Sequence, residues 1–375
     1  MMILHLFNPE HEIALAAHLA HFTPPHAARQ LKADLCWLPA LWADENDAVL
    51  VENADYARKS CARRCKQLGR KMPQFVERNQ LLQLPITQVD TWGWDAAVAT
   101  DLQRWGVAAD VLPDAARLER YRLLAHRRTS AQLLPSLRVE GTVGEAMECS
   151  SLQEVEKCSE RWGKIVIKAP WSSSGRGVRY CDASHLVNSE KRIVNSGLEG
   201  WVNNIIKQQG SVMVEPYYNK VKDFGMEFEV DATGQVHYLG LSLFHTKNGA
   251  YIGNLLATEE AKRELMARYL PLELLDEIRQ RIIDKVQLGD YQGPFGIDMM
   301  VVNCPRNTTL SKRELPTLNC QLSTVNCQLT SSSTPHQPVP SVPRPPPVWS
   351  RHTTVRGRHI PREGWNPCAL RWATR

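Results

Sequence analysis

Residues 164–181 decide the reading of this chain: Lys164-Ile165-Val166-Ile167-Lys168, then Ala169-Pro170-Trp171-Ser172-Ser173-Ser174-Gly175-Arg176-Gly177, then Val178-Arg179-Tyr180-Cys181. A β-branched run that ends in lysine reads as a buried strand, and the last four residues read as its antiparallel return. Between them lies a loop of mostly small residues. Small side chains let backbone N–H groups approach an anion, and Gly175 and Gly177 accept φ > 0. Lys168 sets a cation beside whatever lies under that loop. This chemistry suits a polyphosphate; a solvated Gly/Ser hairpin fits the same residue types. A Walker loop is excluded, because GxxxxGK[ST] is absent and the loop joins two strands instead of opening a helix.

Upstream, Gly163 closes a helix expected over Ser151–Trp162, with Ser150 or Ser151 and Glu154 spaced as a capping box. Pro113–Leu134 reads as one long helix, opened by Pro113-Asp114 and closed by Pro135. Further back, residues 2–7 read as a strand and Pro9–Leu19 as a short helix. Leu35–Leu41 and Ala48–Val51 read as strands, and Tyr56–Leu68 and Asp95–Trp105 as helices, an alternation typical of a small α/β unit. The basic face of Tyr56–Leu68 reads as a solvated helix surface.

Downstream, Asp182–Gln209 reads as largely helical. Val212-Met213-Val214-Glu215-Pro216-Tyr217 is an apolar strand ending in a carboxylate. Phe224–Asp231 and Val236–Phe244 flank the turn Ala232-Thr233-Gly234. Two amphipathic helices, Thr258–Leu270 and Leu272–Val286, lead to a last apolar strand, Phe295–Val302, that contains Asp298.

The order and spacing of these elements over about residues 116–302 resemble the ATP-grasp superfamily, most specifically from Lys168 to Glu215 and from Phe224 to Asp231. The resemblance implies an α/β (α+β) fold that holds ATP between two subdomain sheets behind an N-terminal α/β domain. It implies that Lys168 contacts the α/β phosphates and that Ser172, Ser173, Ser174, Gly175 and Gly177 form the loop closing over the β/γ phosphates. Val214, Glu215 and Tyr217 would line the adenine and ribose side. Glu227 would stand in the family's E-F-x-V strand, and Asp298 would be the first Mg²⁺ ligand. The family's upstream nucleotide lysine has no counterpart; Arg127 or Arg128 stands in the corresponding helix, and Arg128 is taken as the cationic substitute. The implied activity is formation of an acyl phosphate from ATP and a carboxylate, then its transfer to an amine or thiol. Such chemistry needs an in-line phosphoryl group neutralised by Lys and Mg²⁺. The alternative on the same residues is a nucleotide-binding module without turnover.

Residues 1–112 are thus expected to form the N-terminal α/β domain and 113–303 the ATP-grasp domain, with 304–375 a disordered tail. The chain has 375 residues and a net charge of +5. The tail carries 10 basic and 2 acidic residues, which leaves 35 basic and 38 acidic in the remainder, so the basic character belongs to 304–375 alone. That segment is proline-rich and repeats Asn319-Cys320-Gln321-Leu322 as Asn326-Cys327-Gln328-Leu329. The family's second metal strand, bearing Glu-x-Asn, should begin within about fifteen residues of Asp298 and does not. Out-of-frame or repeat-derived translation accounts for both facts; a genuine interaction tail that binds nucleic acid is the rival. A basic tail alone argues weakly for nucleic acid as a partner.

His11 lies near the carboxyl end of the first strand, where α/β domains bind ligands. It is a substrate-site candidate, beside surface or capping roles for the early histidines. His245, Lys247 and Asn248 follow a strand and are candidates for the acceptor side. Ten cysteines show no CxxC and no zinc-type spacing. With 43% hydrophobic and 23% charged residues and no apolar run of membrane-spanning length, the expectation is a globular protein with reduced thiols in a cytoplasm.

Overall fold

The computed structural model describes residues 1–172, 177–182, 196–247, 250–303 and 318–321. Ser173, Ser174, Gly175 and Asn248 lie outside the described residues, as does most of 304–375. No helix among the described residues is long and apolar enough to cross a membrane.

The chain opens with β1 (Met2–Leu6), α1 (His11–Ala17), α2 (His26–Leu35), β2 (Ala48–Leu50), α3 (Ala54–Gln67), β3 (Gln74–Val76), β4 (Ile86–Thr91) and α4 (Ala96–Arg104). The four strands form one parallel sheet in the order β3-β2-β1-β4. Both faces are covered, as a parallel sheet requires. Leu4, Leu6, Ala48 and Val76 join one core cluster; Phe7, Val49 and Phe75 join another, with Cys61 and Cys65 of α3. His5 is buried at the centre. Its Nδ1 lies 2.7 Å from Asp90 Oδ2 and its Nε2 3.3 Å from Asp47 Oδ2. Burial alone would lower its pKa, but the two carboxylates outweigh that and raise it.

A helical connection follows through α5 (Ala115–Leu124) and α6 (Arg127–Leu137). Two sheets complete the fold. One, in the order β6-β9-β7-β8, combines β6 (Met147–Cys149), β7 (Lys164–Lys168), β8 (Val178–Asp182) and β9 (Val212–Pro216). Helices α7 (Leu152–Trp162) and α8 (Ser196–Gln209) cover it through a core of Val155, Cys158, Ile165, Ile167, Val202, Ile205, Val212 and Val214. The other runs β11-β10-β14-β15-β5, using β5 (Thr142–Val143), β10 (Lys220–Val230), β11 (Val236–Ser242), β14 (Gly293–Asn303) and β15 (Leu318–Gln321). A hairpin, β12 (Phe244–Lys247) and β13 (Ala250–Asn254), precedes α9 (Glu259–Met266) and α10 (Leu272–Lys285). Phe224, Met226 and Phe228 of β10 and Phe295, Ile297 and Met299 of β14 share the core cluster of Leu4 and Leu6, so the N-terminal sheet and this sheet pack into one interior.

The helix starts follow from their caps. Asn53, Asp95, Asp114, Ser151 and Thr258 each accept a backbone N–H three residues on, a contribution of about 1 kcal/mol per cap. Glu154 reaches back to the Ser150 N–H at 2.6 Å, one residue before the cap at Ser151.

Three expectations are corrected. Leu35–Leu41 is not a strand; α2 runs to Leu35 and Leu38–Leu41 is a 3₁₀ turn. Pro39 in that run has no N–H for a sheet ladder and favours a helical φ. The helix expected over 113–134 is broken at Ala125-His126, and Pro135 lies inside α6 instead of closing it. The chain turns there because Arg127 N–H donates to Pro170 O (3.3 Å) and the His126 Nδ1 accepts from Arg128 N–H (2.9 Å). Finally, residues 318–321 of the expected irregular tail form β15, antiparallel to β14 and parallel to β5.

His126 gives a prediction. Burial, seconded by the Arg128 charge, pushes its pKa down to about 4. The folded value lies below the unfolded one, so the unfolded chain binds more protons between about pH 6.5 and 4, and stability falls as pH drops through that window. A His126→Asn variant, which keeps a capping side chain, is expected to lose about 3 kcal/mol less than the parent over it. Melting curves between pH 4 and 7 check this; parallel curves would refute it.

Candidate functional site

The site is built where β7 and β9 face β10 and β14. Lys168, at the end of β7, donates from Nζ to Glu215 Oε2 on β9 at 2.6 Å. Both side chains are buried, with exposures of 12% and 5%. Antiparallel pairing explains the meeting: Lys168 stands opposite Met213 and Val166 opposite Glu215, which places the two charges diagonally on one face. Burial lowers the Lys168 pKa, as does the neighbouring Arg127 charge, while Glu215 opposes both.

Arg127 is the second cation. It is buried, and its Nε donates to Ala169 O (3.1 Å) and its Nη2 to Ser172 O (2.5 Å). The helix break thereby grips the first residues of the loop that follows β7. Trp171 reinforces the grip. Its Nε1 donates to Arg122 O (2.9 Å), the Arg122 guanidinium lies 3.9 Å over its ring, and His126 meets it edge-on at 4.5 Å. At the far end of the loop, Ala169 N–H donates to Gly177 O (2.8 Å). A Cβ on Gly177 would lie 2.3 Å from Ser172 Oγ, so glycine is needed for that closure.

Opposite these cations are two carboxylates on paired strands. Gly225 pairs with Asp298, and Glu227 pairs with Gly296. Alternation puts Glu227 and Asp298 on the same face, one diagonal step apart. Each carboxylate leans over the glycine opposite it: a Cβ on Gly225 would lie 3.1 Å from Asp298 Oδ1, and one on Gly296 2.7 Å from Glu227 Oε2. Burial and the charge of Asp223 raise the Asp298 pKa to about 7, against the pull of Arg127 and Lys168. Burial and the Asp298 charge raise Glu227 to about 8, against Ser242 and Lys262. Two hard carboxylates crowded until one tends to hold a proton suit a divalent cation that keeps water and phosphate for its other positions. Among the described residues, no group of three or more His, Cys, Asp or Glu converges on a metal position.

The other sequence candidates distribute as follows. Val214 is buried on β9 between Ile167 and Met147. Tyr217 lies just past β9, 41% exposed, with Lys164 Nζ 4.1 Å over its ring and Tyr180 edge-on at 6.0 Å. Arg128 turns away from Lys168 and pairs in bidentate fashion with Glu148, so it is Arg127 that faces the site. His245 is exposed on β12, and Lys247 ends that strand. His11 lies at the end of the N-terminal sheet, its Nδ1 3.3 Å from Asp95 Oδ2. Sequence reasoning missed Arg127 as the facing residue, Asp95 and Asp223. The signal for the carboxylate pair was available as Gly225-Met226-Glu227 and Gly296-Ile297-Asp298, a Gly-x-acid alternation repeated on two strands.

No family model matches the chain, and no curated protein matches it. Among solved structures, N5-carboxyaminoimidazole synthetase from Staphylococcus aureus complexed with ADP matches at 15% identity and a TM-score of 0.43, covering 82% of this chain and 71% of that one. D-alanyl-alanine synthetase A from Vibrio cholerae matches at 12% identity and 0.44, covering 87% and 88%. The biotin carboxylase–ATP complex from Campylobacter jejuni matches at 12% and 0.47, covering 80% and 62%. The class of the fold is mixed α/β, and likenesses at 12–15% identity and TM-scores of 0.43–0.47 carry no activity over to this chain.

Proposed function

We propose that the chain is an ATP-dependent carboxylate ligase that forms an acyl phosphate and joins it to an amine or thiol. One observation carries the reading: Lys168 and Arg127 stand within electrostatic reach of Glu215 on one sheet and of Asp298 on another. Two buried cations facing recessed carboxylates is an arrangement suited to a polyphosphate with its counter-ion.

In this reading Lys168 binds the phosphates as a point charge, and Arg127 holds the loop backbone at Ala169 and Ser172. The loop through Ser173, Ser174 and Gly175 closes over the phosphates and excludes water from a labile acyl phosphate. Glu215, beside Val214 and Tyr217, takes the ribose and adenine side. Asp298 and Glu227 would hold Mg²⁺, which supplies charge neutralisation to the phosphoryl group.

The test is a titration of the purified chain with a fluorescent ATP analogue, with and without Mg²⁺, followed by ADP release with carboxylic acids and amines. ATP binding strengthened by Mg²⁺, with ADP release that depends on an added acid, is the expected result. Binding without any turnover supports the module without catalysis. Absence of binding rules out both.

A further inference from the structure

Three sulfur atoms meet on the face of the β6-β9-β7-β8 sheet turned away from Lys168 and Glu215. Strand alternation sorts the residues of β6 between the two faces. Glu148 stands opposite Met213, which in turn stands opposite Lys168, so Glu148 lies on the Lys168 face. There it pairs with Arg128 and accepts from Ser211 Oγ at 2.6 Å. Met147 and Cys149 stand opposite Val214 and Val212 on the other face. Helix α7 covers that face, and Cys149, Val212, Val214 and Cys158 of α7 share one core. Cys158 Sγ lies 3.7 Å from Cys149 Sγ and 3.9 Å from Met147 Sδ. Cys149 is 0% and Cys158 2% exposed, whereas Met147 is 43% exposed. The cluster therefore has a closed end of two thiols and an open end at the thioether.

A single buried thiol packs as a small hydrophobe. Two thiols and a thioether that converge on Cys158 have the spacing of a metal centre. Two sulfurs 3.7 Å apart, each about 2.3 Å from one ion, subtend about 107° at it, and the 3.9 Å pair subtends about 116°. Those angles lie near the tetrahedral and trigonal values. The chain also holds a comparison. Cys61 and Cys65 of α3 are a buried pair as well, but at 3.0 Å they would subtend only about 81°, too acute to share an ion. Thiolate and thioether donors are soft and select Cu(I). Zn²⁺ takes four ligands from Cys, His, Asp and Glu, and no three groups of those types converge among the described residues. Two thiolates around Cu(I) leave one negative charge. Arg161, whose charge acts on Cys158, offsets it.

We propose that Met147, Cys149 and Cys158 form a Cu(I) site. The ion enters at the exposed Met147 thioether and passes inward to the two thiols. Both S–H bonds break, two bonds from thiolate to copper form, and the thioether sulfur donates a lone pair as the third. The two protons leave to solvent, and no electron is transferred. Bound there, the ion ties β6 to α7. The site does not depend on the ligase reading, because none of its three donors faces Lys168.

The full chain, reduced and kept free of oxygen, is titrated with Cu(I) held by the coloured chelator bicinchoninate. One equivalent should pass from the chelator to the chain, and X-ray absorption at the copper edge should find three sulfurs at about 2.3 Å. Met147→Leu keeps an apolar side chain at a partly exposed position, so the fold is retained. It should weaken binding at least about tenfold, the cost of disturbing even a supporting contact of a metal ligand, and leave two sulfurs on the ion. Cys158→Ala should abolish the tight equivalent, and Cys65→Ala should leave it untouched. Excess Zn²⁺ should not displace the bound Cu(I). An unchanged affinity and sulfur count in Met147→Leu would place the ion on other cysteines of the chain and overturn the proposal, whether or not Cys158→Ala folds. Failure of the parent to draw Cu(I) from the chelator overturns it too, as does displacement by Zn²⁺.

Discussion

Lys168→Met is expected to weaken ATP binding by roughly 10- to 100-fold, the loss of one charge-assisted contact of about 1.5–3 kcal/mol. Methionine matches the length of the lysine stem, so the cavity stays filled and the change is one of charge. In the parent, the ammonium is already stripped of most water and held 2.6 Å from Glu215. A desolvated cation at fixed position gains more from an arriving phosphate than a surface lysine does, because no hydration shell has to be displaced. The same variant leaves Glu215 buried without its Lys168 partner, and removal of one partner from a buried pair costs stability, up to about 3–5 kcal/mol. The two effects separate in the double variant Lys168→Met/Glu215→Gln. Its melting temperature should return toward that of the parent, while its ATP affinity stays low. Isothermal titration and thermal melts on the three proteins decide the matter. Parental ATP affinity in the single variant would remove Lys168 from the nucleotide site.

The legible part of this fold is the part written in local pattern. The β-branched run Ile165-Val166-Ile167, the helix caps Asp95 and Ser151, and the apolar strand through Asp298 each announce an element within a few residues. What stayed hidden depends on long-range closure. Strand β3 has three residues, too short for a period to declare itself. Arg127 and Arg128 are neighbours of one type; which faces the site depends on the turn at His126, fixed by a contact with Pro170 that no local rule contains. The meeting of His11 with Asp95 spans 84 residues and exists only because β1 and β4 are parallel neighbours. The Glu227–Asp298 pair lies between. Its residue types were readable from the order of strands, but the register that sets each carboxylate over a glycine was not.

That register gives the second large effect, from Asp298→Asn. In the folded protein the Asp298 pKa stands at about 7, above its ordinary 3.8. The folded state therefore binds the proton more tightly than the unfolded one. The stability this supplies is complete below about pH 4 and is lost as pH rises through 7. Asparagine mimics the protonated acid at every pH. The variant should melt with the parent near pH 4 and above it at pH 8, by about 2–4 kcal/mol, discounted for partial solvent access. Function should move the other way. At pH 8 the parent holds ionised carboxylates under strain beside Glu227 and Asp223, and that repulsion is what a divalent cation relieves. Without Asp298 the cation loses a hard ligand, so the Mg²⁺-dependent gain in ATP affinity should vanish and any ATP-driven turnover fall by about 100-fold or more. A structural role alone predicts loss of stability together with loss of binding. A ligand role predicts gain of stability at pH 8 with loss of the Mg²⁺ response, and melting curves run beside ATP titrations with and without Mg²⁺ separate the two. An unchanged Mg²⁺ response in a more stable Asp298→Asn protein would place the cation elsewhere.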